Sequence, residues 1–156
     1  VGEHDLVRDA LGRTGLEVDF WQIAMRPGKP LLFGRIGDTP VLGLPGNPVS
    51  SLVCALVFLA PALARMVGLT DADLHRTALL GVDLPANDRR QDYLRATLAP
   101  GAEGREIATP FKRQDSSQLS ALVKAGCLVV RPPLAPAAKA GESASILPFP
   151  GSLISF

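Results

Sequence analysis

The tract Gly43-Leu44-Pro45-Gly46-Asn47-Pro48-Val49-Ser50 leaves the backbone few choices. Pro45 and Pro48 lack N–H groups and hold φ near −65°, so no regular element runs through the tract. Asn47 is a favoured helix cap and Pro48 suits the first helical position, so a helix begins here. The pattern predicts a helix over 48–67, closed by Gly68 and kinked or restarted at Pro61. Apolar residues surround almost its whole circumference, which predicts deep burial. Its most apolar part, 52–63, is broken by Pro61 and too short to span a bilayer.

Upstream, Leu6, Val7, Ala10 and Leu11 recur at helical spacing, with Asp5, Arg8, Asp9 and Arg13 between them. That predicts an amphipathic helix over 3–15, stopped at Gly15. Residues 17–25 are rich in Val, Phe, Trp and Ile and read as a strand. Arg26-Pro27-Gly28-Lys29-Pro30 can only be a loop. Residues 31–36 and 40–44 flank Gly37-Asp38-Thr39 as a hairpin.

Between residues 69 and 75 the texture changes. Short apolar runs at 77–82, 93–98, 106–109, 127–131 and 143–147 are separated by Gly, Pro and Asp. Strands at this spacing predict a small antiparallel barrel or sandwich. A short helix is expected at 117–124, a loop at 132–140 and a loose tail at 148–156. The fold class is therefore α/β followed by a small β domain, with a boundary placed at 70/71. The chain opens at Val1-Gly2 without methionine and reads as a piece of a longer protein.

Composition narrows the chemistry. A formal net charge of +1 gives the chain no bulk attraction for nucleic acid or an anionic membrane. Anion binding has to come from a few placed groups. Cys54 and Cys127 lie far apart inside apolar runs, so they read as small core hydrophobes in a cytoplasmic, reducing setting. No Cys/His cluster has zinc-ligand spacing.

Three features could carry chemistry. In the 26–30 loop, Arg26 and Lys29 flank Pro27-Gly28; a forked guanidinium and a point charge suit phosphate or other oxyanions. The bland alternative is an exposed turn with two solvated cations. The Gly43–Ser50 turn offers a helix amino terminus, with Gly46, Asn47 and Ser50 as a phosphate cradle; here the alternative is an ordinary capped turn. It is no P-loop, because no Lys-Ser/Thr pair follows the second glycine. Gly2-Glu3-His4-Asp5 starts the first helix. Asp5 there is either a dipole-complementing carboxylate or a hard ligand for Mg²⁺ beside phosphates. Both the cation loop and the helix start follow strands of one sheet, which favours a shared phosphate site.

In combination, Val1-Gly2-Glu3-His4-Asp5-Leu6, Phe20-Trp21, Met25-Arg26-Pro27-Gly28-Lys29-Pro30 and Gly43 through Ser50 resemble the MoeA/gephyrin E family, the molybdopterin molybdenumtransferases. Arg90-Gln91-Asp92-Tyr93-Leu94-Arg95 is similar to that family's Arg-x-x-aromatic-x-Arg strand. Residues 115–122 are similar to its Gly-Ser-His-x-Leu-Ser-Ser-Leu segment, with Asp115 in place of glycine and Ser117 in place of histidine. The resemblance implies the second half of a molybdopterin-binding three-layer α/β domain over 1–70, then a C-terminal β-barrel domain over 71–156. It implies two earlier domains and a first half-domain upstream, without which the chain is expected to be inactive. The implied reaction inserts molybdenum from molybdate into adenylylated molybdopterin (molybdopterin-AMP) and releases AMP. Asp5 then takes the catalytic carboxylate or Mg²⁺ role. Arg26 and Lys29 take molybdate or phosphate, and Gly46, Asn47 and Ser50 the cradle. The full-length protein is expected to be a cytoplasmic homodimer with no nucleic-acid or membrane partner. The alternatives are a molybdopterin adenylyltransferase-like domain, which typically lacks a C-terminal β domain, and a non-catalytic gephyrin-like scaffold module.

Overall fold

The structure is a computed structural model that describes residues 10, 12–69, 74–115 and 119–149, with backbone alone at Leu119 and Ser120. The expected first helix falls largely outside them; Ala10 and Gly12 are helical. The chain divides into two compact units, Val1–Asp71 and Ala72–Phe156.

In the first unit, β1 (Glu17–Phe20), β3 (Leu32–Ile36) and β4 (Thr39–Gly43) form an antiparallel sheet in the order β1-β3-β4. The expected strand over 17–25 is broken. Trp21 bends the chain, and only Met25–Arg26, β2, is again extended. β3 and β4 pair from Leu32↔Gly43 to Ile36↔Thr39 around the two-residue turn Gly37-Asp38, where Gly37 takes φ +55°. A side chain at Gly34 would meet the Glu17 carbonyl at 2.3 Å, so only glycine lets β1 lie this close to β3.

After β4 the chain enters α1 (Pro48–Cys54), a π-helical turn (Ala55–Leu59) and α2 (Ala60–Met66). Pro61 neither ends the helix nor restarts it. It has no N–H to give, and its ring crowds the carbonyl four residues back. The preceding turn is wound wider, with the Ala60 N–H bonded to the Ala55 carbonyl. The expectation of deep burial is corrected: Val49, Ser50, Val53 and Cys54 are buried, whereas Leu63, Met66 and Val67 are more than half exposed. Among the described residues, the buried positions of this helix fall in its first two turns. The length expectation is corrected too, since Pro48–Met66 is by length and composition long enough to cross a membrane.

The second unit is a closed barrel. Its strands β5 (Arg76–Leu80), β6 (Gln91–Pro100), β7 (Glu106–Pro110), β8 (Cys127–Arg131) and β9 (Ser143–Pro148) follow the order β6-β7-β5-β9-β8, and β8 returns to β6. β6 is long enough to serve two partners. Asp92–Ala96 pair with β8 and Ala96–Pro100 with β7. The expected all-antiparallel pattern fails at one place, because β5 and β7 are parallel. β5 is joined to β7 only through β6, and that crossover permits a parallel pair. The core is small-residued, with Ala78, Ala96, Ala108 and Cys127 beside Leu80, Val129 and Ile146. A narrow barrel has room for little more. Among the described residues the α-helix of this unit is α3 (Leu119–Val123), and β9 runs to Pro148; of the tail expected over 148–156, residues 150–156 lie outside the described residues.

Candidate functional site

In the first unit the loop between β1 and β3 doubles back on itself. The Ile23 N–H donates to the Lys29 carbonyl at 3.0 Å, and the Met25 N–H to the Ile23 carbonyl at 2.9 Å. The Arg26–Pro27 peptide is cis. Met25 and Leu31 point into the unit, while Arg26 and Lys29 lie at the surface. With an apolar anchor at each end, Arg26 and Lys29 are both exposed.

Gly28 is the buried point of the loop. Its φ of +116° is a conformation that side chains rarely adopt. A Cβ there would stand 2.6 Å from the Cys54 Sγ and 3.1 Å from the Met25 Cε. The Cys54 thiol reaches the Gly28 carbonyl at 3.9 Å. Burial pushes this thiol up to about 11, so it stays protonated and can donate weakly.

At the start of α1, Asn47 is extended, with φ −76° and ψ 126°, and its side-chain oxygen accepts from the Val49 N–H at 3.1 Å and the Ser50 N–H at 3.3 Å. The Ser51 N–H donates to the Asn47 carbonyl at 2.8 Å and begins the helix ladder. Two of the orphan donors of the helix end are thus engaged by Asn47 itself. Gly46 is exposed, with open space around it, and Ser50 is buried. Ser50 and Cys54 stand four residues apart, one above the other on a single helix face. The cation loop is seated on that face through Gly28. The structure thus brings the Arg26–Lys29 loop and the Ser50 face together. Asp5 lies outside the described residues, and among those described no group of three or more His, Cys, Asp or Glu side chains could hold a metal ion.

The second unit has its own buried polar feature, at the arginine that closes the Arg90–Arg95 motif. Arg95 is 1% exposed in mid-strand, and its guanidinium donates to the Asp115 carbonyl at 2.8 Å. Burial lowers its pKa, against the opposing pull of the Asp115 charge. Gln114 mimics a strand beside it. Its amide accepts from the Arg95 N–H and donates to the Arg95 carbonyl, both at 3.0 Å, and also reaches the Phe111 carbonyl at 2.9 Å. Residues 111–115 are thereby held against β6 up to the edge of 116–118, which lie outside the described residues and include Ser116 and Ser117.

Comparison with known proteins bears on both units. The family model described as the probable molybdopterin binding domain matches residues 1–65, and that described as the MoeA C-terminal region (domain IV) matches 77–149. A molybdopterin molybdenumtransferase of Haemophilus influenzae is 34% identical over 151 residues, covering 96% of this chain and 37% of its own length. Molybdopterin molybdenumtransferase 2 of Mycobacterium tuberculosis is 39% identical over 103 residues, covering 62% of this chain and 25% of its own. A crystal structure of a molybdopterin biosynthesis MoeA protein from Pyrococcus horikosii superposes with a TM-score of 0.77 at 28% identity, over 94% of this chain and 35% of that one. A molybdenum cofactor biosynthesis protein from Pyrococcus furiosus shares the fold, with a TM-score of 0.72 at 24% identity, over 94% of this chain and 55% of that one. With a match to the probable molybdopterin binding domain followed by one to the MoeA C-terminal region, and with relatives and a structural neighbour of that kind along nearly all its length, the chain belongs to the MoeA family.

Proposed function

We propose that the longer protein to which this chain corresponds inserts molybdenum from molybdate into adenylylated molybdopterin, with release of AMP. The observation that carries this reading is the cation loop seated, through Gly28 and Cys54, on the helix face that bears Ser50. A stiff loop that buries its apolar anchors and carries Arg26 and Lys29 at its surface is suited to an oxyanion or a phosphate. The relatives named molybdopterin molybdenumtransferase support the substrate class. Dithiolene sulfurs of the pterin hold the metal as it is transferred, so a protein ligand cluster is not required. The protein's task is then to place charges.

Within this reading Arg26 and Lys29 take molybdate or the phosphates. Gly46 offers an unobstructed approach at the turn, Asn47 fixes the helix start, and Ser50 lies on the face beneath the loop. Asp5 takes Mg²⁺ or the catalytic carboxylate role, as the resemblance implies. The same reading makes the full-length protein a cytoplasmic homodimer.

The test is titration calorimetry of the full-length protein with molybdate and with molybdopterin at two salt concentrations. Lys29→Ala and Arg26→Ala each remove a charge-assisted contact of about 1.5–3 kcal/mol, a loss of roughly tenfold to a hundredfold in affinity. In the wild type, added salt should weaken binding, because the loop is exposed. Unchanged affinity in both variants, with unchanged thermal stability, would make the loop a decorated turn.

A further inference from the structure

We propose that Cys54 is a positioning residue: its side chain is the seat on which Gly28 rests, and its size sets where the loop presents Arg26 and Lys29 relative to the helix face of Ser50. The inference rests on the reading of that loop as the anion-binding element.

A cysteine buried in an apolar helix is ordinarily a small core hydrophobe, interchangeable with alanine or valine at modest cost. Three observations set Cys54 apart. Its sulfur lies against the backbone of a loop. The Sγ lies where a Gly28 side chain would begin, so loop and helix meet with no atom to spare. Its sulfur also lies within reach of the Gly28 carbonyl, at 3.9 Å.

The contact lies between the two cations in sequence, so a shift of the Gly28 backbone carries Arg26 and Lys29 with it. The loop has a second support in the bond from the Ile23 N–H to the Lys29 carbonyl. That bond closes the loop on itself but does not fix it to the helix. Met25 is flexible and can follow a displaced glycine. Cys54 is rigidly held, one helical turn below Ser50.

Size is therefore the variable to change. Cys54→Val adds a branched carbon where Gly28 has no room and lifts the loop. Cys54→Ala leaves a gap into which the loop can sink. Cys54→Ser keeps a small donor beneath the Gly28 carbonyl and preserves the seat.

The test uses the full-length protein, with molybdate alone as the probe, and two readouts. The first is amide hydrogen exchange at Ile23, compared with amides of the β3–β4 hairpin. Cys54→Val and Cys54→Ala should speed exchange at Ile23 selectively. The second is molybdate affinity, measured well below the unfolding temperature. Both variants should lose roughly tenfold, the equivalent of one charge-assisted contact, while Cys54→Ser keeps most of the affinity. In a Lys29→Ala background the affinity effect of Cys54→Val should shrink, because the seat acts through the cation it places.

A merely structural cysteine gives a different pattern. Stability falls in the variants, but Ile23 exchange relative to the hairpin and molybdate affinity stay at wild-type values; that result overturns the proposal. If Lys29→Ala and Arg26→Ala themselves leave molybdate affinity unchanged, the anion-binding reading of the loop fails. The positioning role then falls with it, even where Ile23 exchange has changed.

Discussion

At the scale of single residues, the two cysteines show how burial turns a reactive side chain into packing. Cys127 sits in the barrel core, and burial pushes its thiol to about 11, with the Glu106 charge adding to the shift and Arg76 opposing it. Cys54 reaches the same value through burial alone. At pH 8 such thiols are ionised in only about one molecule in a thousand. A disulfide reagent added to the folded protein at pH 8 should therefore find neither thiol quickly, and should find both once denaturant is present. Rapid stoichiometric labelling of either in the native state would contradict this burial. The linkage runs the same way. The folded pKa exceeds the unfolded one, so the folded state holds its thiol protons where the unfolded chain has released them. The stability from this source is fully present below about pH 9 and is lost as pH rises towards 11. Melting temperature followed from pH 8 to pH 11 should fall across that window, and less steeply when Cys127 is replaced by alanine.

At the scale of elements, the helix start is the best-specified place in the chain. Asn47 holds two N–H groups with one oxygen, and Pro48 follows at the first helical position. Asn47→Ala should cost about 1 kcal/mol in a urea melt. No measurable loss would mean that the loop side, not the cap, holds the helix end. This element was legible in sequence because its signals are local: a cap, a proline and a run of apolar residues. The hairpin at Gly37 and most barrel strands were legible for the same reason. What was not legible depends on partners distant in the chain. The exposure of Leu63 and Met66 follows from what packs on the helix, and an apolar circumference says only that something could. The parallel pairing of β5 with β7 follows from how the chain routes through β6. Gln114 standing in for a strand leaves no pattern, since any side-chain amide could do it and only position decides. For the candidate site, Arg26 and Lys29 were visible as a charge pattern. The seat beneath them was not, because Cys54 reads as core until Gly28 is seen against it.

At the scale of the whole molecule, the chain is two compact bodies joined near residue 71. The barrel closes through its own strands and the first unit packs its own core, so a protease should find the connection first. Limited digestion is expected to give two persistent fragments separated near residues 69–76, identifiable by mass. Early cleavage inside Pro48–Met66, with the connection intact, would show instead that the helix is the weak element.

The barrel has one more consequence, in the time domain. β5 pairs with β9, so its first strand waits for its last, from Arg76↔Ile146 to Leu79↔Ser143. During synthesis β5 leaves the ribosome long before its antiparallel partner exists. Ala78 and Leu80 then belong to an open edge with nothing beside it. Closure can begin only after Pro148 has emerged, and such long-range pairing is intrinsically slow. For this unit the interval between translation and closure is when a nascent chain is most exposed to aggregation. Anything that shortens the wait, such as faster translation of the segment between β5 and β9, should raise the yield of folded protein without altering its stability.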